Sequence, residues 1–82
     1  MYELITGSEL NDLKLVKWIY LTKDEAIKEL LYKVKDYNDI AKEINETTGY
    51  EYHSLLKNVD PRSGENVRYE NEIDYMFVKR RS

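Results

Sequence analysis

The stretch Thr22–Gly49, TKDEAIKELLYKVKDYNDIAKEINETTG, is the longest regular segment of the chain, and its reading decides the fold. At about 100° per residue, Ile27, Leu30, Leu31 and Val34 share one apolar stripe, with Asp24, Lys28, Lys35 and Asp36 opposite. Thr22 stands where an N-cap belongs, and Glu25 follows at the spacing of a capping box. The pairs Asp24–Lys28 and Glu29–Lys33 run in the favourable order, each contributing about 0.2–0.5 kcal/mol. Gly49 supplies the residue past the end, where a positive φ carries no penalty. The segment predicts helix.

A single uninterrupted helix carries a conflict. In the same phase Asn38 and Asn45 land inside the apolar stripe, while Ile40 rotates to its margin. A buried carboxamide without partners costs roughly 1–3 kcal/mol. A break near Asp36–Asn38 removes the conflict, because Asp36 can cap a second helix facing the core through Ile40, Ala41 and Ile44. The expectation is therefore one kinked helix, or two helices near residues 24–35 and 38–48. Tyr32 places an aromatic ring among charges on the outer face, and is read either as an ordinary exposed tyrosine or as a contact residue for a partner.

Before the helix, Tyr2–Thr6 reads as a brief strand and Glu9–Asp12 as a turn. Residues 13–22, LKLVKWIYLT, put Leu13, Leu15, Ile19 and Leu21 on one side at period two, and Val16, Trp18 and Tyr20 on the other. Their β-branched and aromatic content favours a strand, with a helix from Ser8 through Leu10, Leu13 and Lys17 as the rival. After Gly49, residues 50–59 alternate imperfectly through Tyr50, Tyr52 and Leu56 and read as a strand, followed by a turn at Asp60–Gly64. Residues 67–79 then alternate, with Val67, Tyr69, Ile73, Tyr75 and Phe77 on one side. Glu70–Asn71 is marked as a hairpin or bulge, and residues 79–82 are expected to fray. The fold class is α+β: a small antiparallel sheet of about four strands, in β-β-α-α-β-β order, with its helical layer on one face.

The 82 residues fit a single domain. The formal charge of −3 is unevenly spread. Residues 36–74 hold ten acids and four bases, whereas Lys79, Arg80 and Arg81 make residues 75–82 basic. The acidic middle speaks against duplex nucleic acid as a partner, since such binding draws on a basic footprint and counterion release. An absence of cysteine, of a leader and of an apolar run near 18 residues fits a cytoplasmic protein with no membrane partner.

No motif for catalysis, cofactor or metal emerges. His53 is the one histidine, and Glu51 and His53 share a face if residues 50–59 are a strand, which is a frequent accident in so acidic a chain. Ser54 and Ser63 lack the setting of an activated nucleophile, and three separated glycines make no phosphate loop. An enzyme is not expected.

The remaining signal is the residue 13–22 stretch, apolar on both sides although helical cover is available for one. With Leu15, Ile19 and Leu21 assigned to the helix side, Val16, Trp18 and Tyr20, together with Tyr32, become the candidate partner-binding residues. The reading is a non-enzymatic protein-interaction module, an inhibitor or regulator, which meets another protein or a second copy through an aromatic sheet face or a strand edge. Two alternatives stand beside it. One is a single-stranded nucleic-acid binder that stacks bases on Trp18 and Tyr20 with Lys14, Lys17 and Lys23 nearby. The other is a virus-encoded acidic inhibitor, working in the host cytoplasm, that occludes a host protein's nucleic-acid groove.

Overall fold

The computed structural model describes residues 1–49, 54–59 and 67–81, with residues 11–14 described by their backbone alone. Strands β1 (Tyr2–Ser8) and β2 (Asn11–Tyr20) precede helix α1 (Lys23–Thr48). Strands β3 (Lys57–Asn58), β4 (Val67–Glu70) and β5 (Asp74–Arg80) follow it. All neighbouring strands are antiparallel, and the sheet order is β2-β1-β5-β4-β3. The class is α+β, as the two periodicities implied, but the sheet has five strands and the order is β-β-α-β-β-β.

The helix ends are those the sequence marks. Thr22 is extended, and its hydroxyl accepts from the Glu25 N–H at 3.2 Å. Gly49 closes the helix at φ 73°, donating its N–H to Asn45 O at 3.0 Å. The expected break does not occur: α1 runs unbroken through Asp36–Asn38. Asn38 is tolerated because its carboxamide takes two partners on Leu56, as described below. The buried stripe is Ala26, Leu30, Val34 and Ala41. Leu31, expected to face the core, is exposed because the stripe is centred a little earlier in phase; Ile40 and Ile44, assigned to the core through the expected break, are exposed as well.

The core lies between α1 and one sheet face, built from Leu4, Ala26, Leu30, Val34, Leu56 and Val78. Register decides which side of each strand reaches it. Trp18 pairs with Leu4, and Leu4 with Val78, so Trp18 lies on the helix side; Tyr20, opposite Tyr2, does the same. The expected sidedness of β2 is therefore reversed: Leu15 and Ile19 occupy the uncovered side, and Leu21, beyond the strand end, is exposed.

The segment 67–79 is a hairpin rather than one strand, turning at residues 71–73 next to the marked Glu70–Asn71. Across it Tyr69 pairs with Met76 and Glu70 with Tyr75, so residues of opposite parity share a face. Val67 and Tyr69 pack on the core, whereas Tyr75 and Phe77, expected beside them, point to the other face. Residues 79–81 do not form a free tail. Lys79 and Arg80 belong to β5, and the Arg81 N–H donates to Met1 O at 2.9 Å. Of the strand expected over residues 50–59, Lys57–Asn58 is strand and residues 54–56 have no regular structure. Tyr50, Glu51, Tyr52 and His53, and the turn expected at Asp60–Gly64 with Ser63, lie outside the described residues.

Candidate functional site

Strand β2 forms one margin of the sheet. It pairs with β1 along its inner edge, and no strand among the described residues borders its outer edge. At ten residues it is long for an edge strand, though its pairing shifts register between Asn11 and Val16, and beside Lys17 it exposes apolar side chains on both sides: Val16 (45 % exposed) toward the helix, Leu15 (46 %) and Ile19 (52 %) away from it. A long apolar edge presents unpaired backbone donors and acceptors, the template on which another extended segment adds.

The four residues expected to meet a partner divide between core and surface. Trp18 and Tyr20 pack against the core cluster, so they are not the uncovered aromatic face the sequence suggested. The Lys33 ammonium lies 4.1 Å from the Trp18 ring centroid, a cation–π contact that fixes one side of the indole. Burial, and secondly the Glu29 carboxylate, push the Tyr20 hydroxyl above its usual pKa. Tyr32 is 69 % exposed. It nevertheless lines, with Trp18, one groove of about 320 Å³ between α1 and the sheet, which Thr6, Lys33, Asp36 and Met76 also line. Val16 pairs across the strands with Thr6, one of the groove's residues, but does not itself line it. The structure thus brings Trp18 and Tyr32 together along that groove, with Val16 on the same side of β2 and Tyr20 farther along the strand.

A strand laid against β2 would find backbone partners along Val16–Tyr20, where the pairing of β2 with β1 is regular. Its alternate side chains would meet Val16 and the Trp18–Tyr32 groove on one side, and Leu15 and Ile19 on the other. Among the described residues, no group of three or more histidine, aspartate or glutamate side chains is placed to hold a metal ion. No helix there is long and apolar enough to cross a membrane.

Sequence reasoning missed the polar network at the opposite end of the sheet. The Tyr37 hydroxyl donates to Asp74 Oδ2 at 2.5 Å and accepts from Asn71 Nδ2 at 3.0 Å. Asn71 Nδ2 also donates to Ser54 O at 2.8 Å, and Asn71 Oδ1 accepts from the N–H groups of Ile73 and Asp74. One asparagine therefore shapes the β4–β5 turn and ties it to α1 and to the chain beyond α1. The legible signal was an Asn in a turn, a residue type that bonds its own backbone there. Burial, then the bond to Asp74, raise the Tyr37 pKa above its usual value. When the chain is compared with known families, curated proteins and solved structures, no family model, no curated protein and no solved structure matches it.

Proposed function

We propose that this chain is a small, non-enzymatic protein-interaction module that docks its partner along β2. The single observation that carries the reading is an edge strand exposing Leu15, Val16 and Ile19 at about half their surface, which pairs regularly over Val16–Tyr20 with no proline or bulge there, the register shift lying between Asn11 and Val16. Sheet margins are ordinarily protected by charge, by shortness or by a covering loop. Here Lys17 is the one charged side chain over Leu15–Tyr20. The partner is a protein offering an extended segment or a free strand edge, a class that includes a second copy of this chain. Backbone bonding supplies affinity in such a complex, and the pockets flanking the strand supply selectivity.

Val16→Lys tests the reading, because it charges the edge without touching the core. Sedimentation over a range of concentrations, and capture of bound protein from lysate, are compared for the natural chain and the variant. Association of the natural chain that V16K abolishes while keeping its thermal stability supports the β2 edge. Association that V16K leaves unchanged rules this edge out.

A further inference from the structure

The sheet face turned away from α1 has a character of its own. Cross-strand pairing defines it directly. Lys17, Ile5, Phe77 and Arg68 form one row; Gly7, Tyr75, Glu70 and Lys57 form the next; Ile19, Glu3 and Lys79 form the third. Among the described residues α1 is the only helix, and it packs on the other face. The two rings of Tyr75 and Phe77 lie side by side, 6.0 Å apart, on the middle strand of five. The Arg68 guanidinium sits 4.9 Å from the Tyr75 centroid and 5.1 Å from that of Phe77.

Charge separates this face from the rest of the protein. Lys17, Lys57, Arg68 and Lys79 lie on it by register, and Arg81 joins them beside Glu3 at 3.8 Å. Among the described residues that register places on this face, Glu3 and Glu70 are the acids beside these five bases, so that set is net positive in a chain of formal charge −3. The helix on the other side is net acidic, with seven acids against five bases. At about 4.8 Å per strand the platform is roughly 19 Å across its five strands. Half-buried aromatic rings set among cations, on a sheet face that no described helix covers, match the two chemistries of an unpaired polynucleotide: faces that stack and phosphates that carry charge.

We infer that this sheet face is a platform for single-stranded nucleic acid, with bases stacking on Phe77 and Tyr75 and phosphates meeting Lys17, Lys57 and Lys79. The rings and most of the cations differ from those the sequence put forward, because Trp18 and Tyr20 are committed to the helix side. Arg68 contributes both a stacking plane and a charge, held in place by its 2.9 Å bond to Glu70. The acidic helix confines the footprint to one face, which excludes a duplex wrapped around the domain. Apart from Lys17, the platform's rings and cations lie on β3, β4 and β5 or beyond, away from the outer edge of β2, so either reading can fail without the other.

Fluorescence anisotropy of a labelled oligothymidylate, at low and at physiological salt, tests the inference. The expected result is saturable binding that weakens with salt and exceeds binding to a duplex of equal length. Phe77→Leu, which keeps an apolar side chain beneath the sheet surface, should weaken binding about tenfold with little change in salt slope. Lys17→Gln, at an exposed position, should weaken it and reduce the slope by about one. Circular dichroism establishes that both variants are folded; should F77L unfold, Arg68→Gln takes its place with the same expected loss. Absence of saturable binding at low salt overturns the inference. So does equal binding of duplex, or displacement of the oligonucleotide by polyglutamate as readily as by unlabelled oligothymidylate, either of which leaves only a generic attraction for anions.

Discussion

The side chain of Asn38 pairs with the peptide of Leu56 as a strand would. Its Nδ2 donates to Leu56 O at 3.3 Å, and its Oδ1 accepts from Leu56 N–H at 2.8 Å. Leu56 itself is buried in the core, so this exchange satisfies two backbone groups that enter the interior outside any regular element. It also explains why α1 need not break: the polar residue in the apolar stripe is a connector between the helix and the segment beyond it.

Replacing that connector should be costly without altering the helix. Asn38→Leu leaves the Leu56 N–H and C=O unmatched and is expected to lower stability by about 1–3 kcal/mol. Urea denaturation checks this: the midpoint should fall at constant slope, with the far-ultraviolet dichroism of the folded state unchanged.

Gly7 is required by a close approach rather than by its φ. Tyr75 lies across it from β5, and a Cβ built on Gly7 would stand 2.5 Å from the Tyr75 Cζ. Gly7→Ala should therefore destabilise by about 1–3 kcal/mol through overpacking. In a double-mutant cycle, the same change made in a Tyr75→Ala background should cost distinctly less. Additive losses would show that the ring is not the obstacle.

Trp18 and Tyr32 share a groove but not a role in stability. Trp18 packs on the core cluster beneath Lys33, so Trp18→Ala is expected to cost about 3 kcal/mol. Tyr32→Ala, at an exposed site, should fall within about 0.5 kcal/mol of the natural chain. Paired thermal melts distinguish the two, and a near-neutral W18A would return the indole to the surface.

Tyr37 gives the fold an alkaline limit. Its folded pKa lies above the unfolded value of 10.0, so the folded state holds the phenolic proton more tightly. By linkage its contribution is intact below pH 10 and is lost as the pH climbs from there through the folded pKa. Tyr37→Phe should remove that part of the alkaline loss. At neutral pH the variant should already be less stable, since Asp74 and Asn71 lose their shared hydroxyl. Denaturation midpoints at neutral pH and above pH 10 check both halves.

How much was legible varies with the range of the forces involved. The helix, its Thr22 cap and its Gly49 terminus were readable because capping and a period of 3.6 are local properties of consecutive residues. The strand at residues 13–20 and the hairpin near Asn71 were readable for the same reason. Of the candidate partner residues, Val16 and Tyr32 are exposed at the β2 margin and on the helix, whereas Trp18 and Tyr20 were assigned to the wrong face. Asn71 was marked as a turn position, but its bonds to Tyr37 and Ser54, and the approach of Arg68 to Tyr75 and Phe77, were not legible, since those partners lie on other elements.

By itself, then, the sequence determined an α+β chain, where its helix begins and ends, and that each long strand has two distinct sides. It did not determine which side is covered. Period two divides β2 into Leu15 and Ile19 against Val16 and Trp18, and both sets are apolar enough to face a core. Only the tertiary structure chose, through the register that sets Trp18 opposite Leu4 beneath the helix. The same holds for Tyr75 and Phe77. A turn at residues 71–73 pairs Tyr69 with Met76, which sends the following aromatics to the opposite face from the preceding ones. Alternation is fixed between neighbours, but facing is fixed by a partner strand, and pairing across the sheet is the long-range interaction that no local pattern encodes.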